Sequence, residues 1–275
     1  GTFGKVLLCV KGQDTAAAAE ALLPHLAEDG YVVSVQNGLN EDTLAEIVGR
    51  PRTIGAFINF GADYNGPGDI LFGARSTVVV GELDGEMTRR IENLRETLHH
   101  FEPNAIATPN IWGFLWGKLA YCALLWANAL IEAELNDMFG SLKYRAMLTE
   151  LTREVVRIAE KRGTALEPFD PFDPSGFTRN TDQAAADKVF EIVYEHRKGS
   201  AKKHSGMWRD IAVRKRKTEL DTLLLPVLEA GHAEGIDLPL NTLMAELIRD
   251  LEAGQRWQGW ENFDLLQSRM TDVTV

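Results

Sequence analysis

The chain has 275 residues, 45% hydrophobic and 25% charged, with a formal net charge of −11. That is enough for one large or two ordinary domains with a substantial core. An acidic balance argues against a nucleic-acid binder, and the local run RKRK at Arg214–Lys217 reads as a solvated face. Two cysteines in apolar sequence, Cys9 and Cys122, fit buried free thiols in a reducing, cytoplasmic setting better than a disulfide framework. No secretory signal is visible. His99 and His100 are adjacent, so a helix would point them about 100° apart, and no metal site is expected.

The first hundred or so residues read as α/β. KVLLCV (Lys5–Val10) is a short, continuously apolar run, the pattern of a strand buried on both faces. Asp14 or Thr15 caps an Ala-rich helix expected to end near Gly30, and YVVSVQ (Tyr31–Gln36) is the next strand. After a short helical piece, RTIGAFINF, DILFG and STVVVG read as antiparallel strands. Asp84 then starts an amphipathic helix to about Phe101, and Ala105–Thr108 is a last strand.

From Pro109 the pattern turns helical, which divides the chain into residues 1–108 and 109–275. IWGFLWGKLAYCALLWANALI (Ile111–Ile131) is almost unbroken apolar sequence around one charge, Lys118. A membrane span is disfavoured, because a Lys well inside a span costs roughly 2.5–3.5 kcal/mol and no basic flank follows. Two readings of Lys118 stay open: a core helix whose lysine snorkels outward, or a functional ammonium in a dry cleft. Further on, Tyr144, Leu148, Leu151, Val155 and Ile158 form one apolar helical stripe. A helix over Thr218–Glu234 should kink at Pro226, with Gly235 as terminator and Asn241 or Thr242 as the next N-cap.

In open parallel sheets ligands bind at the carboxyl ends of the strands. Two such ends carry polar or conformationally permissive residues here, Lys11-Gly12 and Asn37-Gly38, although Asn-Gly also marks a plain turn and Lys11 also suits a solvated loop. The nearest match to a phosphate-cradling glycine loop, Gly66–Leu71 (GPGDIL), fails: Leu71 holds the third glycine position and the segment leads into a strand. Thr218-Glu219 reads first as helix N-terminal capping.

Taken in order, VKGQDT, VQNGL, GPGDI, WGKLA, and HSGMWRD followed by KTELD resemble the ketopantoate reductase (2-dehydropantoate 2-reductase) family over essentially the whole chain. The resemblance implies a Rossmann-type domain joined to a helical domain like that of 6-phosphogluconate dehydrogenase, with the site in the cleft between them. It implies NADPH-dependent reduction of a 2-keto acid to a 2-hydroxy acid in pantothenate biosynthesis, by a homodimer. Lys118 matches the family's catalytic lysine. Glu219 matches a substrate-binding glutamate, Asn37 a residue orienting cofactor and substrate, and Lys11 a lysine beside the cofactor. Ser205 lies next to the position, here Gly206, of a serine that binds the substrate carboxylate.

Departures accompany the match. Cys122 stands where the family often has a substrate-binding Asn, and Trp126 where it commonly has another. Asn128, about 15 Å along a helix from Lys118 and rotated about 80° off its face, is no obvious replacement. The segment from Asp210 to Glu219 is one residue longer than the common pattern. The family's opening strand and G-x-G-x-x-G loop are not in this sequence, so the first domain reads as a truncated Rossmann-type domain that should bind a dinucleotide poorly. The alternative function is a non-catalytic helical interaction or dimerisation protein derived from the family. The joint presence of Lys11, Asn37, Lys118 and Glu219 opposes it.

Overall fold

The computed structural model describes residues 1–272, and the chain divides into two compact units, Gly1–Leu115 and Trp116–Val275. The first unit is α/β, the second helical. In the first, β1 (Phe3–Leu8), α1 (Thr15–Leu22), β2 (Leu26–Ser34), α2 (Glu41–Val48) and β3 (Thr53–Ile58) follow one another. Strands β1–β2 and β2–β3 pair in parallel, as helical crossovers require. The chain then forms a separate hairpin, β4 (Gly61–Gly66) with β5 (Asp69–Ala74), and returns as β6 (Val78–Glu82), antiparallel to β3. Helix α3 (Arg89–Leu98) leads to the short β7 (Ile106–Ala107), parallel to β6, and the main sheet order is β1-β2-β3-β6-β7.

Period-two alternation sends side chains to the two faces of this sheet. Tyr31, Val33, Ile54, Ala56 and Val80 pack on Ile91 and Leu94 of α3. Leu8, Leu26 and Val32 pack on Ala19 of α1 and on Leu44 and Val48 of α2.

Several boundaries differ from the sequence reading. Strand β1 starts two residues earlier than Lys5 and is not buried on both faces: Phe3 is 58% and Leu7 52% exposed, because β1 is the last strand on its side of the described sheet. The Ala-rich helix stops at Leu22 rather than Gly30. Pro24 opens a short 3-10 turn that leads straight into β2. Asp84 does not start a helix; its carboxylate accepts from the Glu86 amide in a turn with Gly85 at φ +85°, and Thr88 caps α3 by accepting from the Ile91 amide. The segment Gly66–Leu71 runs from the end of β4 through a Pro67-Gly68 turn, with Gly68 at φ +79°, into β5.

Helix α4 (Ile111–Asn128) begins in the first unit and ends in the second. There follow α5 (Leu135–Gly140), α6 (Arg145–Lys161), α7 (Gln183–Arg197), α8 (Gly206–Ala212), α9 (Leu220–Leu223), α10 (Leu225–Ala233), α11 (Pro239–Glu252) and α12 (Glu261–Asp272). The α6 stripe from Tyr144 to Ile158 is buried throughout. The helix expected over 218–234 is broken into α9 and α10 at Leu224, with Pro226 in the first turn of the second piece, where its missing N–H costs nothing. Neither Asn241 nor Thr242 caps α11. Instead the fully buried carboxylate of Glu154, on α6, accepts from the Leu240 and Asn241 amides at 2.9 Å each. Among the described residues, no helix is long and apolar enough to cross a membrane.

Candidate functional site

In the first unit the two polar strand ends lie on adjacent parallel strands. The Val35 amide donates to Leu8 O at 2.9 Å, the last rung before the chains leave the sheet. Beyond it, Lys11 precedes a 3-10 turn over Gly12–Asp14, and Asn37 precedes Gly38 at φ +95°, a conformation that glycine adopts without penalty. Lys11 and Asn37 are both exposed, whereas the residues beneath them are not: Thr15, Gln36 and Asn40 are at most 7% exposed. Gln36 Nε2 donates to Val10 O at 2.9 Å and to Thr15 Oγ1 at 2.8 Å. Thr15 Oγ1 donates to Asn40 Oδ1 at 3.1 Å, and Asn40 Nδ2 donates to Asn37 O at 2.7 Å. The Lys11 ammonium and the Asn37 carboxamide thus stand at the carboxyl ends of adjacent parallel strands, where open sheets of this kind bind ligands.

In the second unit Lys118 sits on α4. Along residues 116–128 every position is buried except Lys118, Cys122 and Leu125. Four-then-three spacing places those three on one stripe. All three are partly exposed, so the partial exposure at Lys118 continues for two turns along the helix. Burial pushes the Cys122 thiol up to about 11, with the charge of Lys118 pulling the other way, so the thiol stays protonated at neutral pH. Trp126 is 2% exposed and belongs to the core.

Ser205 caps α8: its Oγ accepts from the Trp208 amide at 3.2 Å, and its own amide donates to Asn128 Oδ1 at 3.0 Å. Asn128 is fully buried, and its Nδ2 donates to Ala133 O. It therefore ties the end of α4 to the start of α8. Glu219 is half-buried at the N-terminal boundary of α9, without a side-chain capping bond. That capping falls to Thr218, whose Oγ1 accepts from the Leu220 amide at 3.2 Å and donates to Glu252 at 2.6 Å. In the basic run, Arg214 and Arg216 both return to the buried Asp210 at 2.8–2.9 Å, which removes two of its four charges from any basic patch.

The structure thus joins the Lys11 and Asn37 loops through one set of buried polar side chains, and sets Cys122 one turn from Lys118. Sequence reasoning missed Gln36, Thr15 and Asn40, which pair across 21 to 26 residues of chain. It also missed Leu125, whose spacing from Lys118 was a usable signal.

Two family profiles match the chain: "Ketopantoate reductase PanE/ApbA" over residues 1–85 and "Ketopantoate reductase PanE/ApbA C terminal" over residues 110–252. The chain belongs to the ketopantoate reductase family. The 2-dehydropantoate 2-reductase of Archaeoglobus fulgidus is 26% identical over 253 residues, covering 89% of this chain and 75% of that protein. The crystal structure of a ketopantoate reductase of the family from Ralstonia eutropha has a TM-score of 0.73 at 25% identity, covering 92% of this chain and 76% of the other. D-mandelate dehydrogenase, solved with NADH and anilino(oxo)acetate, shares the fold at TM-score 0.77 and 16% identity, over 92% of this chain and 77% of its own.

Proposed function

We propose that this protein is an oxidoreductase that uses NADPH to reduce 2-dehydropantoate, or a closely related 2-keto acid, to the 2-hydroxy acid. Membership of the ketopantoate reductase family supports the reaction class. The observation that carries the assignment of chemistry is Lys118, the one cation on the partly exposed stripe of an otherwise buried helix segment. Lys11 and Asn37 hold the cofactor, and Asn37 also orients the substrate.

A reduced nicotinamide, when bound, supplies the hydride to the keto carbon; the residues of the chain do the rest. Reduction of a ketone places negative charge on its oxygen. The Lys118 ammonium donates a hydrogen bond to that oxygen, stabilises the charge and gives up a proton from Nζ, so that a neutral hydroxyl and an amine result. The amine regains its proton from water before the next turnover. Glu219 accepts a hydrogen bond from the hydroxyl end of the substrate. Ser205 uses its Oγ lone pair to cap α8 and keeps its O–H proton to donate to the substrate carboxylate.

Cys122 offers a protonated thiol, a weak donor, next to the lysine. This favours a keto acid that asks little hydrogen bonding of that wall, and it is why the reaction class is drawn wider than one substrate. A homodimer in the cytoplasm completes the reading, and free thiols at Cys9, which is exposed rather than buried, and at Cys122, which is partly buried, suit a reducing compartment.

The test is the loss of NADPH absorbance when the full-length protein is given 2-dehydropantoate and a panel of branched, linear and aromatic 2-keto acids, repeated with NADH. Turnover of 2-dehydropantoate or a branched analogue, faster with NADPH, is expected. Absence of turnover for the whole panel by a protein that binds the cofactor refutes the reading.

A further inference from the structure

We infer that Thr15, Gln36 and Asn40 form a directional hydrogen-bond circuit that positions the Lys11 and Asn37 loops against each other, making Thr15 a positioning residue for ligand binding. The inference rests on the reading that Lys11 and Asn37 contact cofactor and substrate.

The direction of every bond follows from the two fixed acceptors at the ends of the circuit, Val10 O and Asn37 O. Val10 O can only accept, so the Gln36 group 2.9 Å from it is the Nε2 amide. The same Nε2 donates at 2.8 Å to Thr15 Oγ1, whose own proton is then free to go to Asn40 Oδ1 at 3.1 Å. That fixes the carboxamide of Asn40 with its Nδ2 toward Asn37 O, the second backbone carbonyl of the circuit, at 2.7 Å. One end of the circuit grips the residue before Lys11 and the other grips Asn37 itself. All three side chains are at least nine-tenths buried, so water does not compete for these bonds, and breaking one leaves a buried polar atom without a partner.

Beneath the two loops, Leu8, Ala19, Leu44 and Val48 share one apolar cluster, and the circuit adds directional bonds above it. Strand pairing stops at the Val35–Leu8 rung, and Gly38 at φ +95° gives the second loop a turn without a packed side chain. Thr15 is the single hydroxyl through which both halves of the circuit pass. A core filler needs only its volume, and valine would serve; a relay needs the oxygen, and serine would serve.

That contrast is the experiment. In the full-length protein, Thr15→Val keeps the shape and removes the relay, whereas Thr15→Ser keeps the relay and removes a methyl. Thr15→Val should raise KM for the nicotinamide cofactor about tenfold with a smaller fall in kcat, since misplacements of about 1 Å cost binding groups at least that much. Thr15→Ser should return both constants to within about twofold of the parent. If Thr15→Val does not fold, Gln36→Met, which removes both amide donations at similar volume, takes its place with the same expected rise in KM. Unaltered constants in Thr15→Val, or equal impairment of Thr15→Ser and Thr15→Val, would overturn the circuit as a positioning device. Lys11→Ala and Asn37→Ala report on the underlying reading. If neither changes KM or kcat, that reading fails; if they do and Thr15→Val does not, only the positioning role fails.

Discussion

Removing the carboxylate of Glu154 should cost stability in a way that depends on pH with an unusual sign. Glu154 is fully buried and accepts three hydrogen bonds, from the Leu240 and Asn241 amides at 2.9 Å and from Asn241 Nδ2 at 2.7 Å. In Glu154→Ala the two amides at the start of α11 lose their partner inside the protein, while Asn241 Nδ2 retains Leu151 O at 2.9 Å. Two unpaired buried amides at about 1–3 kcal/mol each put the loss near 4 kcal/mol.

An opposing effect comes from charge. Burial pushes the Glu154 carboxyl up to about 7 from an ordinary value of 4.5, with the three hydrogen bonds and Arg157 pulling it back. Between those values the folded chain holds a proton that the unfolded chain has released. The stabilisation this brings is complete below about pH 4.5 and is lost as pH rises through 7. The interval is worth roughly 3 kcal/mol. Glu154→Ala lacks this titration, so its cost should be about 4 kcal/mol near pH 4 and about 1 kcal/mol near pH 8. At about 2–4 °C per kcal/mol, that is a Tm drop of about 10 °C in acid and a few degrees in base. Urea or thermal unfolding followed by far-ultraviolet circular dichroism, parent against variant at both pH values, reads it directly. A cost that is equal at the two pH values, or larger at pH 8, refutes the reasoning, because the hydrogen bonds would then outweigh burial.

Glu41, fully buried at the first position of α2 with its carboxyl also pushed by burial to about 7, contributes with the same sign. Glu41→Gln should flatten the decline in stability between pH 4.5 and 7 by roughly 3 kcal/mol, and an unchanged slope in urea midpoints would count against it. Cys122→Asn places a carboxamide one turn from Lys118, and a well-aimed hydrogen bond of about 1.4 kcal/mol should raise kcat/KM for 2-dehydropantoate about tenfold. No change, with the variant folded, would separate Cys122 from substrate recognition.

The α/β-to-helical order was legible because it rests on local pattern: short runs of apolar and β-branched residues such as Thr53–Ile58 and the four-three stripe on α6 are written within one segment. Strand β4, sequence GADYNG, was not legible, since Gly, Asp and Asn carry little strand propensity and hairpin pairing with β5 holds it. The exposure of Phe3 and Leu7 was hidden because an apolar run gives no information about how many faces are covered. Capping failed where the partner is distant: Asn241 looks like an N-cap, yet the carboxylate serving α11 lies 86 residues away in sequence. The same limit explains the candidate site. Lys118 stands out as one charge in an apolar run, whereas Thr15, Gln36 and Asn40 are ordinary polar residues until folding stacks two strand ends.

The central claim is that the ammonium of Lys118 supplies the proton for keto-acid reduction. Its most direct test is kcat for NADPH-dependent reduction by Lys118→Ala against the parent, in the full-length protein, with circular dichroism confirming the helical content of both. A loss of about 10²–10⁴-fold is expected, the range for removal of a general acid. A folded Lys118→Ala that keeps the parent kcat would contradict the claim and return Lys118 to a snorkelling residue of a core helix.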